Sequence, residues 1–197
     1  QYPACYVYAP YHQKFSTGSL PTSICPQTPW LDNTNVGSGW EFSGSPGYTT
    51  GNNGRANGSY AWVDFSGTDV FTILQVEDID ISQLTRPYLL FDYWSDQGTD
   101  ALSGDNNILH VEAFDSLGWD SLITLQLQTN GWQTFSVDLS SAIFGTSTVR
   151  LRFRAESGGA SNDYHNDLLL DDVKIENEPV FGCTDSLACN YNSAAVI

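Results

Sequence analysis

Hydrophobic and polar positions along the chain fall into three textures. Residues 1–59 carry short apolar pieces, such as Gly39-Trp40-Glu41-Phe42, between clusters of Gly, Pro, Ser, Thr and Asn. That reads as loops and short strands. From Tyr60 to Ile175 the apolar residues come in runs of four to eight, and the polar ones alternate with them or bound them. The pattern predicts strands over Tyr60–Phe65, Phe71–Val76, Tyr88–Trp94, Ile108–Ala113, Leu122–Leu127, Trp132–Val137, Val149–Phe153 and Leu168–Ile175. The alternation is cleanest where Val149, Leu151 and Phe153 face one way and Arg150, Arg152 and Arg154 the other. The dipeptide Asn130-Gly131 is a hairpin signal. Asp138 to Phe144, with Asp138 or Ser140 as cap, is the one segment that reads as a short helix. Eight or more short strands with no helices between them predict an all-β fold, an antiparallel β-sandwich of jelly-roll type.

After Ile175 the pattern stops. Glu176-Asn177-Glu178-Pro179 has linker composition, so the expected division is a sandwich domain over 1–177 and a linker with a short cysteine-bearing segment over 178–197. At 197 residues the chain is large enough to bury a core of its own. It contains no Met, and it is read as a processed piece of a larger protein.

Composition sharpens the picture. Asp and Glu total 23 against 7 Lys and Arg, a net charge of −16, which argues against nucleic acid and anionic membranes as partners. Aromatics make up 13 % of the chain, too many for a disordered acidic tail. No apolar run approaches the ~20 residues of a membrane span, so membrane insertion is not expected. Cys5 and Cys25 lie near one end, Cys183 and Cys189 near the other. Four cysteines allow three connectivities; the two local pairs are preferred, and disulfides imply an oxidising, extracellular or cell-surface location.

Catalysis finds little support. His12, His110 and His165 sit in separate segments, and neither a zinc-protease helix motif, a nucleophile elbow nor a phosphate-cradling loop occurs. The chain is not expected to be an enzyme.

An ordered set of landmarks resembles MAM domains, in particular the bacterial MAM-like and cleaved-adhesin modules of secreted Bacteroidota proteins. Phe15-Ser16-Thr17-Gly18-Ser19-Leu20-Pro21 resembles the family's opening. Gly58-Ser59-Tyr60-Ala61-Trp62-Val63-Asp64 resembles its first long strand. Asp78-Ile79-Asp80-Ile81-Ser82 with Pro87 to Trp94, then Trp132 to Ser140, then Val149 to Arg154, follow in order, and Asp167 to Val173 resembles its closing strand. The resemblance covers about residues 12–177. The chain departs from it at Ser16 and at Gly47-Tyr48-Thr49-Thr50, where the family carries acidic residues. The tail Gly182 to Asn192 is similar to a cysteine repeat near the C-termini of such proteins, and it stops before that repeat's third Cys.

The resemblance implies a jelly roll used for adhesion or recognition of a protein or glycan ligand. It also implies a structural Ca²⁺ near Asp171, Asp172 and the strand bearing Asp64. Oxygen ligands of this kind suit a hard cation. Adjacent strand residues face opposite sides, so at most one of Asp171 and Asp172 is expected to point inward. Trp30, Trp40, Tyr48 and Trp119, set among Asn, Gly and Asp, are candidates for stacking on a sugar; for Trp30 and Trp40 a place in the core is the competing reading. The arginine row could meet an acidic partner or pair with carboxylates on neighbouring strands. A carbohydrate-binding module accessory to an enzyme, and a spacer in a repetitive surface protein, are the alternative roles.

Overall fold

The computed structural model describes residues 5–34, 39–44, 46, 59–66, 71–96, 106–129, 131–144, 147–159, 164 and 166–180. Thirteen strands are seen among them: β1 (Val7–Tyr8), β2 (Tyr11–Gln13), β3 (Leu31–Thr34), β4 (Ala61–Val63), β5 (Phe71–Gln75), β6 (Ile79–Asp80), β7 (Pro87–Asp96), β8 (Ile108–Phe114), β9 (Trp119–Leu125), β10 (Gln133–Asp138), β11 (Thr148–Val149), β12 (Leu151–Glu156) and β13 (Asp167–Asn177). They build an all-β sandwich of jelly-roll type, as the alternation predicts. The front sheet runs β10-β7-β13-β2, with β4 also paired to β13; the back sheet runs β3-β5-β12-β8-β9.

Period-two patterning explains the layers. On β7, Leu89, Phe91 and Tyr93 point into the core; on β12, Leu151, Phe153 and Ala155 do the same from the opposite sheet. Phe91 and Phe153 meet edge to face at 5.5 Å between ring centres, which ties the two sheets at their middle. A third, small sheet of β1-β6-β11 closes one end, and its β1–β6 pair is parallel, the one departure from antiparallel pairing among the described strands.

Strand β13 is the organiser of the front sheet. One edge pairs with β7 along nearly its whole length; the other pairs first with β4 and then with β2. The register against β7 slips between Asp171 and Lys174, where β4 ends and β2 begins. Asp172 sits in that bulge at φ 50°, a left-handed conformation that costs a residue with a Cβ.

Two expectations change. No helix forms over 138–144: β10 runs through Asp138, whose carboxylate accepts the Ser140 N–H at 2.8 Å, and Leu139 and Ala142 turn into the core. A side chain that satisfies a backbone N–H two residues on favours a turn over a helix. The strands on either side of Asn130 and Gly131 do not pair with each other, and Asn130 lies outside the described residues. β9 pairs with β8 in the back sheet and β10 with β7 in the front sheet, so the connection crosses the sandwich. Thr129 holds the crossing chain to β7 by accepting from the Ser95 N–H through its hydroxyl (3.0 Å) and donating its own N–H to the Ser95 carbonyl (2.8 Å).

The amino-terminal loop is fastened by the Cys5–Cys25 disulfide, one of the two expected local pairs. Cys183 and Cys189 lie outside the described residues. The bridge closes a loop of 20 residues, so reduction is expected to cost about 3 kcal/mol by loss of chain constraint. A melting point lower by roughly 6–12 °C in reductant, absent in a Cys5→Ser/Cys25→Ser variant, checks this.

Buried amides close the far end of the sandwich. The Asn107 N–H donates to Asn166 Oδ1 (2.7 Å), Asn107 Nδ2 to the Asn166 carbonyl (2.6 Å), and Asn166 Nδ2 to Ser95 Oγ (2.8 Å). The Gly158 N–H donates to Asn107 Oδ1 at 2.9 Å. A Cβ at Gly158 would stand 2.5 Å from the Asn106 carbonyl oxygen, so this position has to be glycine. The amide groups of Asn107 and Asn166 are thus used largely on one another.

Candidate functional site

Alternation on β13 puts Leu168 and Leu170 in the core, so Asp167, Leu169 and Asp171 belong to the outer face of the front sheet. The register carries that face sideways. Leu169 pairs with Trp62 on β4 and with Trp94 on β7, and Trp132 lies one step before β10 at the same level. One row across four strands therefore reads Trp62, Leu169, Trp94, Trp132. The three indoles are half-buried, and Leu169 beneath them is buried. Trp94 and Trp132 meet at 5.8 Å with planes 84° apart, and Tyr60 reaches Trp132 at 5.6 Å, again edge to face. This is a walled corner of aromatic rings, not a flat platform.

Polar groups border it. Asp171 and Asp92 are direct cross-strand partners in the next row, and Asp92 Oδ1 accepts from Thr134 Oγ1 at 2.6 Å. Trp62 Nε1 donates to the Ser43 carbonyl at 3.1 Å, which fixes its ring. Trp94 Nε1 is buried and has no hydrogen-bond partner among the described residues, an uncommon state for an indole N–H. Burial first, and then the Asp167 carboxylate, push the Tyr60 phenol above its ordinary value, so it stays a donor throughout the physiological range.

The aromatics singled out by sequence lie elsewhere. Trp30 and Trp40 are 2 % and 3 % exposed. Trp30 packs edge to face on Phe15 and donates Nε1 to Tyr11 Oη at 2.9 Å. Both are core side chains and offer no ring face to a ligand, which corrects their place among the contact candidates. Trp119 lies on the back sheet under Arg152, whose guanidinium sits 4.2 Å above the ring centre. Tyr48 lies outside the described residues. Trp62, Trp94 and Trp132 were read only as strand residues. The signal that marks them is parity: each takes an outward position, with core residues Ala61 and Val63 flanking Trp62 and core Tyr93 preceding Trp94.

The three aspartates expected to share a cation are not brought together. Asp171 is 5 % exposed on the outer-face row beside Asp92. Asp172, in the bulge, is bonded to His12 Nε2 at 2.7 Å. Asp64 lies one step beyond the Val63–Leu168 pair, roughly four residues or 13 Å along the sheet from Asp171, and accepts the Ser66 N–H at 2.7 Å. Among the described residues no group of three or more His, Cys, Asp or Glu side chains could hold a metal ion. This donor set does not fit one calcium ion.

The arginine row is paired. Arg150 makes a two-pronged bond to Asp78 (2.7 and 2.7 Å); Arg152 and Arg154 both reach Glu112 (2.6 and 3.4 Å), and Arg154 also pairs with Glu156. His110 joins this belt, 3.2 Å from Glu156 and 3.1 Å from Thr124 Oγ1. Burial, then the charge of Arg154, lower its pKa below the ordinary 6.5. The folded protein thus resists a proton that the unfolded chain accepts. Stability is full above about pH 6.5 and falls as the pH drops below it toward the lowered folded value. Melting points at descending pH should show this loss, and His110→Gln should flatten it.

No protein-family model matches the chain, and no curated protein matches it in sequence. Solved structures do share its fold. The K2 cleaved adhesin domain of Lys-gingipain aligns at TM-score 0.53 and 13 % identity, over 84 % of this chain and 96 % of that one. TmCBM61, solved with β-1,4-galactotriose, aligns at 0.48 and 12 %, over 84 % and 94 %. The CBM22-2 xylan-binding domain from Paenibacillus barcinonensis Xyn10C aligns at 0.44 and 14 %, over 85 % and 99 %. The resemblance to cleaved-adhesin modules therefore holds at the level of an adhesin-like β-sandwich, while no family model supports the MAM assignment. Likeness at these identities is likeness of fold.

Proposed function

We propose that this chain is a non-catalytic recognition module of an extracellular protein, and that it binds a glycan on the outer face of its front sheet. One observation carries the reading: three tryptophans from three elements are gathered on a single outward row, beside Asp92 and Asp171. An outward aromatic row gains nothing for the core. It supplies ring faces for the apolar side of a sugar, while the neighbouring carboxylates meet its hydroxyls. The perpendicular rings favour a sugar residue entering edgewise into a corner over a chain lying on a plane. The Cys5–Cys25 disulfide supports an oxidising compartment. Fold alone leaves open a role in adhesion to protein, since sandwiches of this kind serve many functions. Calorimetric titration with cellotriose, xylotriose and β-1,4-galactotriose tests the glycan reading. Saturable binding to at least one supports it; a silent panel, with binding to a protein ligand instead, overturns it.

A structural calcium ion remains part of the proposal, at a different place from the three aspartates above. An ion bound only by the folded state raises the melting point. A higher melting point in millimolar Ca²⁺ than in EDTA is expected, and identical curves remove the ion from the account.

A further inference from the structure

At the other end of the same outer face, beside β2, lies a pocket of about 410 Å³ lined by His12, Gln13, Lys14, Ser16, Thr17, Pro21 and Thr22. Its volume is at the small end of ligand pockets, which run from roughly 300 to 1,000 Å³. Its chemistry is unusual for this protein. Of the six described cationic Lys and Arg side chains, Arg86, Arg150, Arg152 and Arg154 are each held by a carboxylate. The other two, Lys14 and Lys174, have no ion-pair partner among the described residues, in a chain with 23 acidic residues. Both stand at this corner: Lys14 lines the pocket, and Lys174 is the cross-strand partner of His12.

The backbone around the pocket is held in place. Phe15 and Asp172 both take positive φ, 48° and 50°, although neither is glycine. Such conformations persist where the surroundings over-determine them. Asp172 is fixed by His12, whose Nε2 lies 2.7 Å from Oδ1. That bond leaves His12 Nδ1 without a partner among the described residues, on a side chain 37 % exposed. No nucleophile is hydrogen-bonded to this imidazole among the described residues, so the pair positions a ring and is not a catalytic dyad.

We propose that this pocket binds the carboxylate-bearing residue of an acidic glycan, a uronic acid. Lys14 supplies the charge-assisted bond to the carboxylate, while Ser16, Thr17 and Thr22 hydroxyls, the Gln13 amide and His12 Nδ1 serve the ring hydroxyls. One lining lysine among neutral hydrogen-bonding groups matches one charge on a hydroxylated ring better than it matches an acidic peptide. The net charge of −16 does not forbid this. Fields of distant carboxylates are screened beyond about 8 Å at physiological salt, so groups in contact decide. The ligand class rests on the glycan reading above; the site does not depend on the tryptophan row, which lies about five residues or 16 Å away along β13.

Chemical-shift titrations of the full chain with galacturonic and glucuronic acids, against galactose and glucose, test it. The acids should bind about tenfold tighter than their neutral counterparts, the difference between a charge-assisted and a neutral hydrogen bond. The preference should shrink at high salt and vanish in Lys14→Gln, an exposed side chain whose loss leaves the fold intact. Equal affinity for acid and neutral sugar, or a preference unchanged in Lys14→Gln, overturns the proposal. So does a glutamate-rich peptide that binds tighter than the acids with the same dependence on Lys14. Trp94→Ala separates this site from the outer-face row. Neutral trisaccharide binding lost in that variant, with no acid preference in the wild type, leaves the row and removes the pocket. A Lys14-dependent acid preference without any neutral binding leaves the pocket and removes the row.

Discussion

Glu77→Ala is expected to destabilise the protein by about 4 kcal/mol, the largest effect of any single substitution considered. Glu77 is 2 % exposed, just beyond the end of β5. Its carboxylate accepts the Ile24 N–H at 2.9 Å, the Cys25 N–H at 3.3 Å and the Tyr11 hydroxyl at 3.3 Å. Tyr11 in turn accepts from Trp30. One side chain thus joins the disulfide loop, β2 and a core tryptophan. Alanine leaves two buried donors, the Tyr11 hydroxyl and the Cys25 N–H, and the part-buried Ile24 N–H without an acceptor, each buried one costing about 1–3 kcal/mol. For a chain of this size the melting point should fall by roughly 8–16 °C. Glu77→Gln, which keeps one acceptor oxygen, should lose less. A fall of under about 3 °C for alanine would show that water enters and replaces the carboxylate.

Trp94→Ala should weaken binding of the tightest trisaccharide of the test panel by at least about 30-fold, or 2 kcal/mol, as expected for an aromatic at the centre of a contact. Trp94 sits in the middle of the outer row, and Trp132 leans on it edge to face. Its loss removes a ring face and the support of its neighbour together. Trp132→Ala should follow in the same direction. Trp119→Ala is the contrast, because that ring is on the back sheet beneath Arg152 and should leave affinity unchanged. Melting curves for each variant separate lost binding from lost folding.

Why the layers were legible and the site was not comes down to how each is encoded. Strand positions follow from period-two runs such as Val149 to Phe153, where every second residue must be buried, and the structure keeps them as β11 and β12. The arginine row could be placed on one face by the same rule; the neighbouring strand β8 supplies its partner Glu112, while Glu156 comes from β12 itself. Which strands pair is a different matter. Trp62 and Trp94 are 32 residues apart, and only the register of β13 against both β4 and β7 makes them neighbours. The Asn-Gly signal misled for a related reason: turn propensity is local, while Thr129 is held by Ser95 on a strand far back in the chain. Trp30 and Trp40 looked like loop aromatics because they lie in irregular backbone. The core in fact extends under that backbone, where Phe15 meets Phe42 at a tilt and Trp30 edge to face. Asp64 and Asp171 are separated because β13 is long and meets β4 only over its first part.

The indole region of a ¹⁵N-edited spectrum tests the central claim most directly, since the chain has six tryptophans and each gives one Nε1–H signal. On titration with the tightest-binding trisaccharide, the signals of Trp62, Trp94 and Trp132 should shift progressively and saturate together, while those of Trp30, Trp40 and Trp119 stay in place. Saturable binding that leaves the first three unmoved, or that moves Trp119 alone, would place the ligand away from the outer face of the front sheet and contradict the account.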